Sequence, residues 1–142
     1  MMSNKELYTA WAEQQDELPI FFQPWWMDAV CAGKQWDVLL SFAEKSDPEH
    51  REVKDIVAVL PYLFRQRLWM KWITMPQQTQ IGGIWLTQNG GLTDDNQLID
   101  LPKICEDFVG QLKALGLHYY YQQSIYSLHK NNILYLYKIY NY

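Results

Sequence analysis

Trp36-Asp37-Val38-Leu39-Leu40-Ser41-Phe42, followed after a polar interval by Ile56-Val57-Ala58-Val59-Leu60-Pro61-Tyr62-Leu63-Phe64, is the part of the chain with the plainest structural period. In the first run Trp36, Val38, Leu40 and Phe42 alternate with Asp37, Leu39, Ser41 and Ala43, the two-residue repeat of a strand with one strongly apolar face. The second run is apolar and β-branched enough for a largely buried strand. Pro61 has no N–H to give to a ladder, so a bulge or an edge is required at that point. Residues 44–54 are polar and make the connecting loop, and residues 69–74 give a third, shorter strand. Strands so closely spaced pair most economically as an antiparallel meander.

Helices flank this sheet. Ser3 with Glu6 three positions on forms a capping box, and Leu7, Tyr8, Trp11 and Ala12 recur on one helical face, which predicts a helix over residues 4–15. Residues 19–23 read as an extended entry to a second, short helix. Pro24 takes its first position, Trp25, Trp26, Ala29 and Val30 form its apolar set, and Gly33 lies just past its end. Further on, Asp100 and Pro102 open a helix whose buried face is Ile104, Phe108, Leu112 and Leu115, with Gly116 as its stop. A strand over residues 117–123 follows directly. Between the meander and this helix, residues 75–92 are rich in Gln, Gly and Asn and read as a long irregular loop on the surface or lining a cleft. The fold class is α/β of the α+β kind, with helices on a mainly antiparallel sheet.

Composition bounds the rest. A chain of 142 residues with 49% apolar and 20% charged side chains suits one soluble domain, while seven tryptophans are many for this length. The net charge of −4, without a visible basic stripe, argues against nucleic-acid and anionic-membrane partners. Cys31 and Cys105 are far apart and lack metal or redox spacing, which points to buried thiols in a reduced, cytoplasmic setting. Residues 1–20 carry charges throughout and no apolar core of a signal peptide. The end of the chain is different. Eight of the ten tyrosines lie at or after Tyr119, and residues 124–142 contain no Gly, Ala, Pro, Arg, Asp or Glu. The chain therefore divides into a domain over residues 1–123 and an atypical tail over 124–142, read as a frame-shifted or read-through end, with an aromatic β-hairpin as the alternative.

The common signatures of phosphate-loop, dinucleotide, serine-hydrolase and zinc enzymes are missing from the sequence. His50, His118 and His129 share no local ligand spacing, so no metal site is expected. The adjacent pairs Asp94-Asp95 and Glu106-Asp107 point in different directions on a helix or strand and cannot act as a facing acid and base. No catalytic residue can be named. The loop does offer chemistry. Gln77, Gln78, Thr79 and Gln80 place uncharged donors and acceptors between Trp72 and Trp85, a mixture suited to orienting a polar substrate against aromatic walls, or simply a solvated loop held by two core tryptophans. Trp25 and Trp26 line a cleft or pack in the core. Being neighbours on one helix, at most one of them can face inward.

Four segments in order resemble the opening motifs of the Fem-like branch of the GNAT acyltransferases. They are residues 19–30 (PIFFQPWWMDAV), Trp36-Asp37-Val38-Leu39-Leu40, Val57-Ala58-Val59-Leu60-Pro61-Tyr62, and residues 73–86 (ITMPQQTQIGGIWL). The resemblance runs over residues 19–123. It departs at Gln78, where the family tends to have an apolar residue, and at Ile84, where it often has Pro. It implies a GNAT-like partial domain, the N-terminal half of a longer, paired fold that transfers an acyl or aminoacyl group to a small-molecule amine. An acyl-CoA or aminoacyl donor is implied for the full-length family. The [RQ]xxGx[GA] strand-to-helix turn that such chemistry needs is not found, and Gln80-Ile81-Gly82-Gly83 is a poor substitute. The fragment itself is therefore expected to bind no cofactor and to have doubtful activity, with Trp25, Trp26, Gln77, Gln78, Thr79, Gln80 and Trp85 as candidate substrate contacts. A non-catalytic protein-interaction domain is the alternative, and self-association through exposed core surface is expected of a truncated fold.

Overall fold

The meander is the frame of the computed structural model, which describes residues 2–32, 35–87 and 101–122. Strand β1 (Trp36–Phe42) pairs antiparallel with β2 (Ile56–Arg67), Trp36 opposite Leu63 and Leu39 opposite Leu60, and β2 turns back into β3 (Met70–Thr74). Two short strands complete the sheet: β4 (Trp85–Leu86) lies antiparallel to β2, and β5 (Tyr119–Tyr120) parallel to β3. The described residues are thus α+β, a mainly antiparallel sheet of five strands with three α-helices among them. Within the stretch read as an irregular loop, β4 is a strand of only two residues, too short to show a period. The tail over residues 124–142 lies outside the described residues, as do Gly33, Asp94, Asp95 and Asp100.

Pro61 sits at a local edge, as one of its two sequence readings required. The irregularity of register falls instead between Ser41 and Phe42. On the side of β2 away from β1, β3 ends at Thr74 opposite Leu63 and β4 begins at Trp85 opposite Val59. Among the described residues no strand covers the interval between them. Backbone N and C=O of one strand residue point to the same side, and the Pro61 carbonyl accepts the Gln122 side-chain amide at 2.8 Å, so the missing donor faces this notch.

Helix α1 (Asn4–Ala12) begins with the capping box at Ser3 and Glu6 and buries Leu7, Tyr8, Trp11 and Ala12. It ends before residue 15 because Gln14 and Gln15 donate to Trp11 and Ala12, the tightened bonds that satisfy a helix's last carbonyls. Residues Ile20–Phe22 form a 3₁₀ turn rather than an extended entry, closed by Phe22 N–H to Pro19 O and by the Tyr8 hydroxyl donating to the Phe22 carbonyl. Helix α2 (Pro24–Cys31) starts at Pro24 and ends at left-handed Ala32, but its buried stripe is Met27 and Cys31, not the predicted Trp25, Trp26, Ala29 and Val30. Trp25 and Ala29 are exposed, and Trp26 and Val30 are half-buried. Eight residues make barely two turns, so the helix buries one narrow stripe, and the i, i+4 pair Met27/Cys31 occupies it. Helix α3 (Leu101–Ala114) buries Ile104, Phe108 and Leu112 as predicted, with Cys105 and Val109 beside them, while the fourth predicted residue, Leu115, lies just past its end and is half-buried, and Gly116 follows at φ +64°.

Helices cover both faces. One core joins Leu7, Tyr8, Trp11, Phe22 and Met27 to Trp36, Val38, Leu40, Val59 and Leu63, and the other joins Leu39, Ala58, Leu60 and Ile73 to Ile104, Phe108 and Leu112. β1 is therefore buried on both sides, Leu39 and Ser41 included, where its sequence suggested one apolar face. Gln111 fixes α3 to β1 through a 3.0 Å bond to the Leu40 carbonyl. Both cysteines are buried and neither forms a disulfide.

Candidate functional site

The segment after β3 leaves the sheet through a turn at Pro76-Gln77-Gln78-Thr79, closed by Thr79 N–H to Pro76 O at 3.3 Å. Its third residue, Gln78, is left-handed at φ +59° without the freedom of a glycine. Thr79 is half-buried, whereas Gln77, Gln78 and Gln80 are exposed.

Two segments far apart in the chain meet here. The Trp26 indole N–H donates to Thr79 Oγ1 at 3.0 Å, and the hydroxyl in turn donates to the Gln77 carbonyl at 3.4 Å. Trp26 is held edge-on by Phe21, with ring centroids 5.4 Å apart, and by Trp25 at 6.1 Å. Trp25 itself is 58% exposed. Trp85 is placed differently. It is half-buried, tilts against Phe22 at 5.4 Å and packs on the core beneath α1 and α2. The structure thus brings Trp25, Trp26 and Thr79 together with Gln77, Gln78 and Gln80 at the same turn, and assigns Trp85 to packing.

Sequence reasoning passed over Phe21, which braces Trp26, and the group that closes the notch beside Pro61. There Gln122 receives the Tyr120 hydroxyl at 2.8 Å and donates to Pro61 O at 2.8 Å. A Cβ on Gly82 would lie 3.0 Å from the Met75 sulfur and 3.7 Å from the Gln122 amide nitrogen, so the absence of a side chain lets the loop close over this point. Nothing in a one-dimensional pattern joins residues 61, 82 and 122. Gln80-Ile81-Gly82-Gly83 leads into β4 rather than into a helix.

Other conspicuous residues have structural duties. Asp28 accepts the Trp36 indole N–H at 2.7 Å and faces Lys5 at 3.6 Å, while the Lys5 ammonium lies 3.8 Å from the Trp36 ring centroid, a cluster that ties α1, α2 and β1 together. His50 pairs with Asp47 in an exposed loop, and His118 Nδ1 accepts the Lys71 backbone N–H at 3.2 Å. His129 lies outside the described residues. Burial raises the Cys105 thiol above its ordinary range, which makes it a poor nucleophile. Tyr62 is pushed up to about 12, first by burial and then by the Asp37 charge. Among the described residues no three His, Cys, Asp or Glu side chains gather as metal ligands.

At the turn, then, stand a half-buried threonine, three exposed glutamines and an exposed tryptophan, with no ionisable side chain in the turn itself. Such a surface can bind and orient. It supplies no acid or base. No protein-family model matches the chain, and no curated protein or solved structure matches it either.

Proposed function

We propose that the chain is a GNAT-type N-acyltransferase-like domain of the Fem-like branch, and that the described residues form the side of the reaction that receives the amine acceptor. The observation that carries this reading is the Trp26–Thr79 hydrogen bond. It joins the first and the last of the four ordered segments on which the resemblance rests, while the two between them run along β1 and β2 in the core beneath. The first and last of the segments thus meet at one turn, above a core built by the other two.

The chemistry suits an amine. Amide and hydroxyl oxygens of Gln77, Gln78, Thr79 and Gln80 accept from its N–H groups, and the exposed Trp25 face attracts it in its protonated form. Transfer would form a C–N bond to the acyl carbon and break the bond to the leaving group of an acyl-CoA or aminoacyl donor, the amine's proton departing with that group or to solvent. A thioester site is not part of this proposal, because the strand-to-helix turn it needs is missing from the sequence. A second reading, a non-catalytic interaction domain, is favoured by the exposed aromatic tip of the β2–β3 hairpin.

Calorimetric titration with lysine amide, glucosamine and acetyl-CoA tests the proposal. Heat of binding is expected with at least one amine, reduced at least about tenfold in affinity by Trp25→Ala and by Thr79→Val, in line with the loss of one cation–π contact or one polar contact. Acetyl-CoA should give none. Absence of binding by either amine, or binding indifferent to both substitutions, would remove the reading.

A further inference from the structure

We infer that the tip of the β2–β3 hairpin is a docking element for an anionic lipid surface, a role independent of the acceptor site. β1 begins with Trp36 opposite Leu63, so β2 continues beyond that pairing for four residues and, with β3, forms an arm projecting roughly 13 Å past β1 at the usual rise per strand residue. Arg67 pairs with Met70, and the two residues between them make the turn, with Leu68 left-handed at φ +54°. This apex is apolar and open. Leu68 is 83% exposed, Trp69 70% and Met70 43%.

Behind the apex the charge is of one sign. No Asp or Glu occurs from residue 56 to residue 93, although the whole chain carries −4, and the arm holds Arg65, Arg67 and Lys71. None of the three makes an ion pair among the described residues, and Arg65 Nε is buried without an acceptor there. Net charge taken over the chain hides this local excess. Aromatic rings lie at the same level. His118 is bonded to the Lys71 backbone and braces Trp69 edge-on at 5.3 Å, while Tyr119, exposed beside Trp72 in the parallel register, and Tyr121 are both open to solvent.

The order from apex to base is therefore large apolar side chains, then cations and amphipathic rings. This is the sequence of environments across a bilayer interface, where apolar groups enter to about 5–10 Å and Lys and Arg meet lipid phosphates. An apolar apex this exposed suits a fluid surface, which needs no complementary pocket. No helix among the described residues is long and apolar enough to cross a membrane, so the contact is peripheral.

Sedimentation of the chain with sucrose-loaded vesicles tests this, using phosphatidylcholine alone and phosphatidylcholine mixed with phosphatidylglycerol. Partition to the mixed vesicles is expected, weakened by salt, with brominated lipid quenching emission in the wild type but less in Trp69→Phe. Leu68→Gly combined with Trp69→Ser should lower partition at least about tenfold. Leu68→Gly alone should not destabilise the fold, since glycine suits the left-handed position, so its loss of binding cannot be attributed to unfolding. Arg67→Gln and Lys71→Gln should each cost roughly fivefold on anionic vesicles and little on neutral ones. The inference is overturned if the mixed vesicles bind nothing or if the tip variants bind equally well. It is overturned also if those variants instead abolish self-association in sedimentation velocity, or binding to an acidic polypeptide that vesicles do not displace.

Discussion

Gln78 shows how a single residue can be placed by the fold against its own preference. A left-handed backbone costs a side-chain-bearing residue about 1–2 kcal/mol relative to its ordinary conformations, and glycine is relieved of most of that. Gln78→Gly should therefore raise stability in urea by about 0.5–1 kcal/mol while weakening amine binding, because the amide it removes stands beside Thr79. Nothing in the sequence marks this position, since the usual Gly or Asn of such a turn is absent. A second residue-level effect concerns pH. Tyr62 is raised to about 12, and burial holds the Tyr8 hydroxyl well above its ordinary value. A phenol whose folded-state pKa lies above the unfolded value of about 10 leaves stability intact below that pH and erodes it above, as the unfolded chain ionises first. Thermal melting should accordingly be flat with respect to these groups up to about pH 10 and fall steeply from there toward pH 12, and Tyr62→Phe should flatten part of the fall.

The secondary elements differ in how far they could be read. α1 and α3 were legible because each carries a start or stop device with a physical mechanism, the Ser3–Glu6 box and the left-handed Gly116, together with a full apolar stripe. α2 was legible in its start at Pro24 but not in its facing, because aromatic size drew attention to Trp25 and Trp26 while the buried stripe is set by smaller Met27 and Cys31. β4 and β5, two residues each, depend on what lies beside them and leave no period. β5 in particular is fixed by side chains. Its neighbour Gln122 bridges the Tyr120 hydroxyl and the Pro61 carbonyl, filling the notch that a proline in mid-strand creates. Gln122→Ala should loosen this strand without unfolding the meander. Faster hydrogen exchange is expected at the amides of Tyr121 and His118, which bond to Ile73 and Lys71, with little change at the β1–β2 ladder. Equal acceleration throughout the sheet would show that the notch holds the whole domain rather than its edge.

For the molecule as a whole, the sheet is clamped between helices on both faces, so a strand that looked one-sided in sequence, β1, is buried on two. The arrangement of the candidate residues was legible in part. Motifs at residues 19–30 and 73–86 were recognisable by their order along the chain, but that Trp26 would find Thr79 across 53 positions, while Trp85 turned into the core, is a consequence of how α2 lies over the sheet. Charge was the least legible property, since a net value of −4 averages an acidic periphery with a hairpin that carries cations only. The acceptor-site reading makes the Trp26 indole N–H the reporter of function. In a nitrogen–proton correlation spectrum titrated with lysine amide or glucosamine, the account predicts saturable shifts at the Trp26 side chain and at the Thr79 and Gln80 amides, absent in Thr79→Val. A spectrum in which neither amine moves these resonances, or in which acetyl-CoA alone does, would contradict it.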